Sequence, residues 1–261
     1  VGMSENDAIL DVIDKYPQVK CNQNVTVPPV IMVPGLTSSS INYKLDNSDP
    51  PVWAFWCEKS TNGQWLPLWP APNDVFTDTK QFLCWTANVG VKFDATANEF
   101  TTLRSGEQTE LVDFGKFTGI GGLDAVVPWF AMTGWTPGTD LFASPFDWRV
   151  PSGGQSEFYT KLQALVEQVY NNNGQKKVVL WAFSFGPQYA LSFLHRMTQE
   201  WKDTYIDWFV ATSPVWSGAP AALAAFATGY TNLPGGQVPN PPAKCKGLTL
   251  YADVCYVGPI A

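Results

Sequence analysis

The chain has 261 residues, enough for one large domain, or one domain with insertions, around a sizeable core. Its formal charge is −7, its isoelectric point about 4.7, and no run of lysine or arginine occurs, which argues against a nucleic-acid groove or an electrostatic anchor to anionic membranes. No apolar stretch approaches the roughly 20 residues that span a bilayer. Twelve tryptophans and sixteen phenylalanines are many for this length. Most should fill a core, and some should face lipid or an apolar substrate. Five cysteines leave at least one unpaired if the others form disulfides. The chain begins at Val1 with nothing resembling a signal peptide, so it reads as a processed product or a fragment.

Residues 1–27 read as a short helix or loose extension, with Ile9, Leu10, Val12 and Ile13 among Asp11, Asp14 and Lys15. Asn24-Val25-Thr26 is an acceptor sequon that places Asn24 as a glycosylation site on a secretory route. After Pro28-Pro29, Val30-Ile31-Met32-Val33 reads as a buried strand ending at Pro34-Gly35-Leu36. That ending suits either a simple turn or a loop whose backbone N–H faces a reaction site. From Pro50 to Trp85 no strong helix or strand pattern emerges. Cys57 and Cys84, each beside a tryptophan, bound a Pro-, Asn- and Trp-rich stretch that a disulfide would close, the alternative being two unpaired buried cysteines.

Val89, Val91 and Phe93 alternate as in an edge hairpin, Phe114–Gly122 is glycine-dense, and a helix around Trp129 should end at Gly134. Leu141–Arg149 reads as a short strand running into a charged pair, Asp147 and Arg149, suited to tying a loop together. Phe158, Leu162, Leu165, Val166 and Val169 mark an amphipathic helix closed by Asn171–Gly174. Val178-Val-Leu-Trp-Ala182 is a buried strand that stops at Ser184, and Tyr189, Leu191, Phe193 and Leu194 then follow helical spacing, with Pro187 in the first turn. Strand, tight turn at a serine and helix together make a nucleophile elbow, here Ala-Phe-Ser-Phe-Gly rather than G-x-S-x-G. Ile206–Ala211 is the next strand, ending at Ser213-Pro214. The alternation of strands and helices predicts a doubly wound parallel sheet. Beyond Gly218 the chain is rich in Ala, Pro and Gly, and Leu248–Val257 is a last apolar run.

Six stretches, in order, resemble the lecithin:cholesterol acyltransferase family, which includes the lysosomal phospholipase and phospholipid:diacylglycerol acyltransferases. They are Pro29–Leu36; Lys44-Leu45-Asp46; Trp56-Cys57 with Cys84-Trp85; Asp140-Leu141-Phe142 with Phe146-Asp147-Trp148-Arg149; Val178–Gly186; and Trp201-Lys202-Asp203 running to Ser213–Gly218. The resemblance implies an α/β-hydrolase fold with a mostly parallel sheet and a disulfide-closed lid, lacking the last strands. It divides the chain into an extension at 1–27, a core at 28–220 with a lid at about 50–86, and an unmatched tail at 221–261. It assigns Ser184 as nucleophile, the backbone N–H groups of Leu36 and Phe185 as the oxyanion hole, and Cys57–Cys84 as the disulfide closing the lid.

The implied activity moves a fatty acyl group from a phospholipid through a seryl ester to a sterol, another alcohol or water. It needs no cofactor or metal and implies peripheral contact with a membrane or lipoprotein surface, in the secretory, lysosomal or vacuolar lumen. The family's acid and base motifs do not occur after Ser184: the single histidine, His195, lies in the elbow helix, and Asp253 is the lone acidic residue of the last fifty. The chain alone is therefore expected to be inactive. A catalytically inactive lipid-binding relative, and another serine esterase of the same fold, are the competing readings.

Overall fold

Val30–Val33, apolar and buried throughout, forms the central strand β1 of the fold. A computed structural model describes residues 27–116, 123 and 126–220. The sequon at Asn24, the N-terminal extension, Cys21, Cys245, Cys255, Asp253 and the 248–257 run lie outside the described residues. The chain divides into two compact units. The first gathers the described residues up to Ser39 with Asp113–Phe146 and Gln155–Pro214; the second comprises Ser40–Val112, Asp147–Gly154 and the described residues from Val215.

The first unit is a four-stranded parallel sheet with the order β7-β1-β8-β9, where β7 is Leu141–Ala143, β8 is Val178–Phe183 and β9 is Ile206–Thr212. Val30 pairs with Leu141 on one side of β1 and with Val179 on the other. From β7 the chain crosses back through helix α3 (Ser156–Asn172) to β8, and then through α4 (Gly186–Arg196) and the short α5 (Gln199–Tyr205) to β9.

Side-chain alternation along β8 sorts the two faces. Val178, Leu180 and Ala182 are fully buried on one side. Val179, Trp181 and Phe183 point to the other, where they join Val30, Met32, Leu141 and Ala143 beneath Val126, Val127 and Phe130 of helix α2 (Val126–Met132). α3 and α4 are locked together by aromatic contacts, Tyr159 on Phe193 and Phe158 on Tyr189. Trp201 of α5 packs edge-on against Phe193 and donates its indole N–H to Glu167 of α3 at 2.7 Å. The sheet is thus wound on both faces, as the alternation of elements predicts; β1 and β7 are fully buried apolar runs, whereas β9 at the edge is partly exposed.

The second unit is antiparallel. β2 (Ile41–Asp49) lies between β3 (Leu66–Trp69) and β6 (Ser105–Leu111), and β4 (Val91–Asp94) and β5 (Glu99–Thr102) form a separate hairpin. The Pro50–Trp85 region, which lacks a clear pattern in sequence, contains β3 and helix α1 (Thr79–Val89). Asp78 caps α1 by accepting from the Gln81 N–H at 2.8 Å, and Trp85 anchors it by donating to the Leu68 carbonyl at 2.9 Å. Trp69, Phe76, Phe82 and Trp148 pack around or next to Trp85 in a chain of ring contacts. Most of these aromatic residues therefore serve as core in a unit with few aliphatic residues to spare.

Candidate active site

The order β7-β1-β8 reverses direction at β1: one connection leaves to β7, and the next passes back over to β8. In open parallel sheets such a reversal leaves a crevice at the carboxyl ends of the strands flanking it. Ser184 follows the carboxyl end of β8, and Pro34-Gly35-Leu36 follows that of β1.

Ser184 has φ +57°, in the left-handed region that non-glycine residues seldom enter, a strain on the order of 1–3 kcal/mol. Its N–H donates to the Thr212 carbonyl at 2.9 Å, pinning the turn to the end of β9. α4 starts two residues later, with Pro187 in its first turn, where a missing N–H leaves no bond unmade. So sharp a reversal drives the backbone against β1. A Cβ at Gly186 would lie 2.3 Å from the Pro34 carbonyl oxygen and 2.5 Å from that of Val33, so glycine alone fits. From the other side, a Cβ at Gly35 would lie 3.1 Å from the Cβ of Ser184. The loop after β1 therefore runs directly against the serine.

That loop is itself tightly shaped. The Ser38 N–H donates to the Gly35 carbonyl at 3.3 Å, closing a turn around Leu36 and Thr37. Thr37 has φ +61°, and its hydroxyl donates to the Leu36 carbonyl at 2.7 Å, fixing the peptide that follows Leu36. Sequence reading had no means of finding Thr37, because nothing in the one-letter code announces a left-handed threonine. Phe185 is the N-cap of α4, so its peptide lies at the positive end of the helix dipole. Its ring rests edge-on against Tyr189 at 5.2 Å. The two departures from G-x-S-x-G are absorbed by packing: Ala182 is fully buried, and Phe183 stacks parallel to Trp181. The structure thus brings Ser184, Phe185 and the Gly35–Leu36 loop together. It does not bring His195 to them. His195 is exposed in the last turn of α4, roughly 16 Å along the helix from the serine, whereas a base must come within about 3 Å.

Within the second unit, Cys57 and Cys84 form a disulfide, with a Cα–Cα distance of 5.5 Å across a separation of 27 residues. Asp147 and Arg149 form a bidentate pair at 2.7 and 2.9 Å, and Arg149 also donates to Thr109 of β6 at 3.1 Å, the loop-tying role expected of them. The neighbouring Glu107 is buried, and neither carboxyl oxygen has a hydrogen-bond partner among the described residues. Burial pushes its pKa up to about 8 against the opposing pull of Arg149 and Arg104, so it holds its proton at neutral pH.

After Pro50-Pro51 a 3₁₀ turn, Val52–Ala54, presents Val52 (90% exposed), Phe55 (73%) and Trp56 (39%) to solvent. These residues, rather than Trp53 or Trp69, form the exposed apolar tip. Trp69 packs between Trp85 and Trp148, while Trp65 is exposed. Among the described residues, no group of three or more His, Cys, Asp or Glu is placed to hold a metal, and no helix is long and apolar enough to cross a membrane.

Comparison with known proteins supports the assignment. The lecithin:cholesterol acyltransferase family model matches residues 64–236. The human (Homo sapiens) lysosomal phospholipase A and acyltransferase is 32% identical over 219 residues, covering 78% of this chain and 51% of its own. The bovine (Bos taurus) protein of that name is 31% identical over the same coverage. Phosphatidylcholine-sterol acyltransferase from mouse (Mus musculus) is 30% identical over 215 residues, covering 77% of this chain and 46% of its own. The chain spans about half the length of the curated relatives it matches.

Proposed function

This chain belongs to the lecithin:cholesterol acyltransferase family, and on that premise we propose that it carries the nucleophile half of a serine-dependent lipid acyltransferase or phospholipase. The observation that carries the reading is Ser184 held at φ +57° on the strand-to-helix turn, with the Gly35–Leu36 loop packed against it.

In this reaction the Ser184 oxygen attacks the ester carbonyl of a phospholipid while a general base takes its proton. The N–H groups of Leu36 and Phe185 stabilise the resulting oxyanion. Collapse breaks the ester C–O bond and releases the lysophospholipid alcohol, protonated by the same base. The seryl ester is then cleaved by a sterol, another alcohol or water through the same steps in reverse. The chain's one histidine, His195, lies at the far end of α4 and does not reach Ser184, so this reading assigns no base among the described residues. The Val52–Trp56 tip meets the lipid surface, and the site of action is the lysosomal, vacuolar or secreted compartment, with Asn24 glycosylated. The disulfide and the names of the relatives support that location.

The test is acyl release from phosphatidylcholine vesicles by the full product of the gene, with and without an alcohol acceptor, compared with Ser184→Ala. Loss of on the order of 10⁶ in turnover, down to the background supplied by oxyanion hole and binding, is expected. Vesicle binding without Ser184-dependent turnover would favour the lipid-binding relative. Turnover of short soluble esters but not phospholipid would favour another esterase.

A further inference from the structure

A cavity of about 490 Å³ lies within the second unit, among residues from β2, β3 and α1, and nothing in the serine chemistry uses it. Its size is that of small-molecule sites, and its lining joins apolar walls to a polar and charged side. Leu45, Leu66, Val75, Trp56 and Trp85 supply the walls, beside the Cys57–Cys84 disulfide.

The polar end is built around Arg104, which is 2% exposed. Its guanidinium donates to the Ser48 hydroxyl at 3.0 Å, the Asn88 side-chain oxygen at 2.5 Å and the Glu58 carbonyl at 2.5 Å. All three acceptors are neutral. Glu107 and Asp49 lie within electrostatic range, but no ion pair joins either to Arg104 among the described residues. A guanidinium stays charged even when burial lowers its pKa, and a buried charge without a bonded counter-ion is costly. Tyr43, bonded to Asn88, is also on the lining, and Lys80 adds a second positive charge at the exposed rim. Glu58 is also on the lining, but it is an exposed residue, whereas Arg104 is the buried charge of the site.

We propose that this cavity binds the monoanion of a fatty acid, its carboxylate at Arg104 and Asn88 and its chain along Leu45, Val75 and Trp85. One guanidinium set into apolar walls matches a single negative charge on an apolar tail better than it matches a phosphate, which recruits several donors. The site stands independently of Ser184, although a fatty acid is also what hydrolysis there would release.

The test is calorimetric titration of the full gene product with decanoate below its micelle concentration, alongside methyl decanoate. Saturable one-to-one binding of decanoate is expected, with the ester at least about tenfold weaker because it brings no charge to Arg104. Asn88→Asp places a carboxylate on Arg104 at nearly unchanged shape. It should leave the circular dichroism native, weaken decanoate at least about tenfold and leave the ester unaffected. Lys80→Glu, on the exposed rim, probes the same charge without touching the core and should weaken decanoate about threefold. Phe55→Ser, off the cavity lining, should leave decanoate affinity unchanged. The proposal is overturned by absence of saturable binding, by equal affinity for acid and ester, by an indifferent Asn88→Asp or Lys80→Glu, or by loss of binding in Phe55→Ser, which would put the ligand on the surface tip.

Discussion

The unit that carries Ser184 is held in shape by its backbone, whereas the unit that carries the disulfide is held by its side chains. In the first, adjacent parallel strands bring two loop ends together, and a serine and a threonine are forced into left-handed conformations around them. In the second, short antiparallel strands are stitched by Arg104, the Asp147–Arg149 pair, a run of tilted and edge-on indoles and a covalent bond. The difference teaches where each unit is fragile: one to an added methyl group, the other to a lost bond or a changed proton.

Gly186→Ala would test that contrast most severely. The added carbon meets two carbonyl oxygens that belong to the central strand and its exit, and neither can yield. A loss of more than about 3 kcal/mol in urea denaturation is expected, together with loss of any Ser184-dependent turnover. A variant of unchanged stability would break the claim that the elbow is set by backbone crowding.

Replacing both Cys57 and Cys84 by Ser should come next, at about 3–4 kcal/mol from the entropy of the loop they close. Hydrogen exchange should rise across 40–112 while β1, β7, β8 and β9 keep their protection. Equal loss of protection in both units would mean they do not respond separately.

Glu107→Gln should act through pH. The unfolded carboxyl releases its proton near pH 4.5, while the folded one keeps it until about pH 8. Through that window the folded chain binds the extra proton, so this residue's contribution to stability falls as pH rises from about 4.5 to about 8. The glutamine variant, neutral throughout, should flatten that slope in thermal melts and gain about 1–3 kcal/mol at pH 8. A slope unchanged by the substitution would remove Glu107 from the titration.

The smallest effect on stability, within about 0.5 kcal/mol, is expected for Val52→Ser with Phe55→Ser, since both side chains already face solvent. Vesicle sedimentation should nevertheless show at least about tenfold weaker binding, because each side chain withdrawn from lipid forfeits 1.5 kcal/mol or more.

The same contrast governs what the sequence discloses. β1 and β7 are readable because a strand buried on both faces must be apolar, β8 and β9 because they too are mainly apolar runs, and α3 because a helix against a core must be amphipathic. Ser184 and Gly186 are readable because the elbow demands small residues at set spacing. β2 hides because only Ile41, Leu45 and Ser48 of its nine residues are buried, which gives no two-residue alternation. α1 hides because its start signal is one capping aspartate inside a proline-rich stretch. Arg104 carries no local signal at all: its partners Ser48, Glu58 and Asn88 are scattered on either side of the disulfide bond's two cysteines. The tryptophans mislead for a related reason, since composition counts indoles without saying which ones stack. Phe55 escapes notice beside them although it is the more exposed.

The length of chain between β1 and β7 has a kinetic corollary. Val30 and Leu141 are direct neighbours in the parallel sheet, yet more than a hundred positions separate them along the chain. Bringing ends that far apart together in a flexible polymer costs about 4 kcal/mol in closure entropy before a single ladder bond is made. Most of that span consists of β2 to β6 and α1, where the β4–β5 hairpin is local and β2 and β6 pair across a shorter separation than β1 and β7. A chain that organises this insert first shortens the tether and lowers the barrier to sheet assembly, whereas one that leaves it loose must search for β7 across the whole excursion. Slow closure of β1 on β7, rather than formation of the elbow itself, is then the step that sets how quickly Ser184 becomes positioned.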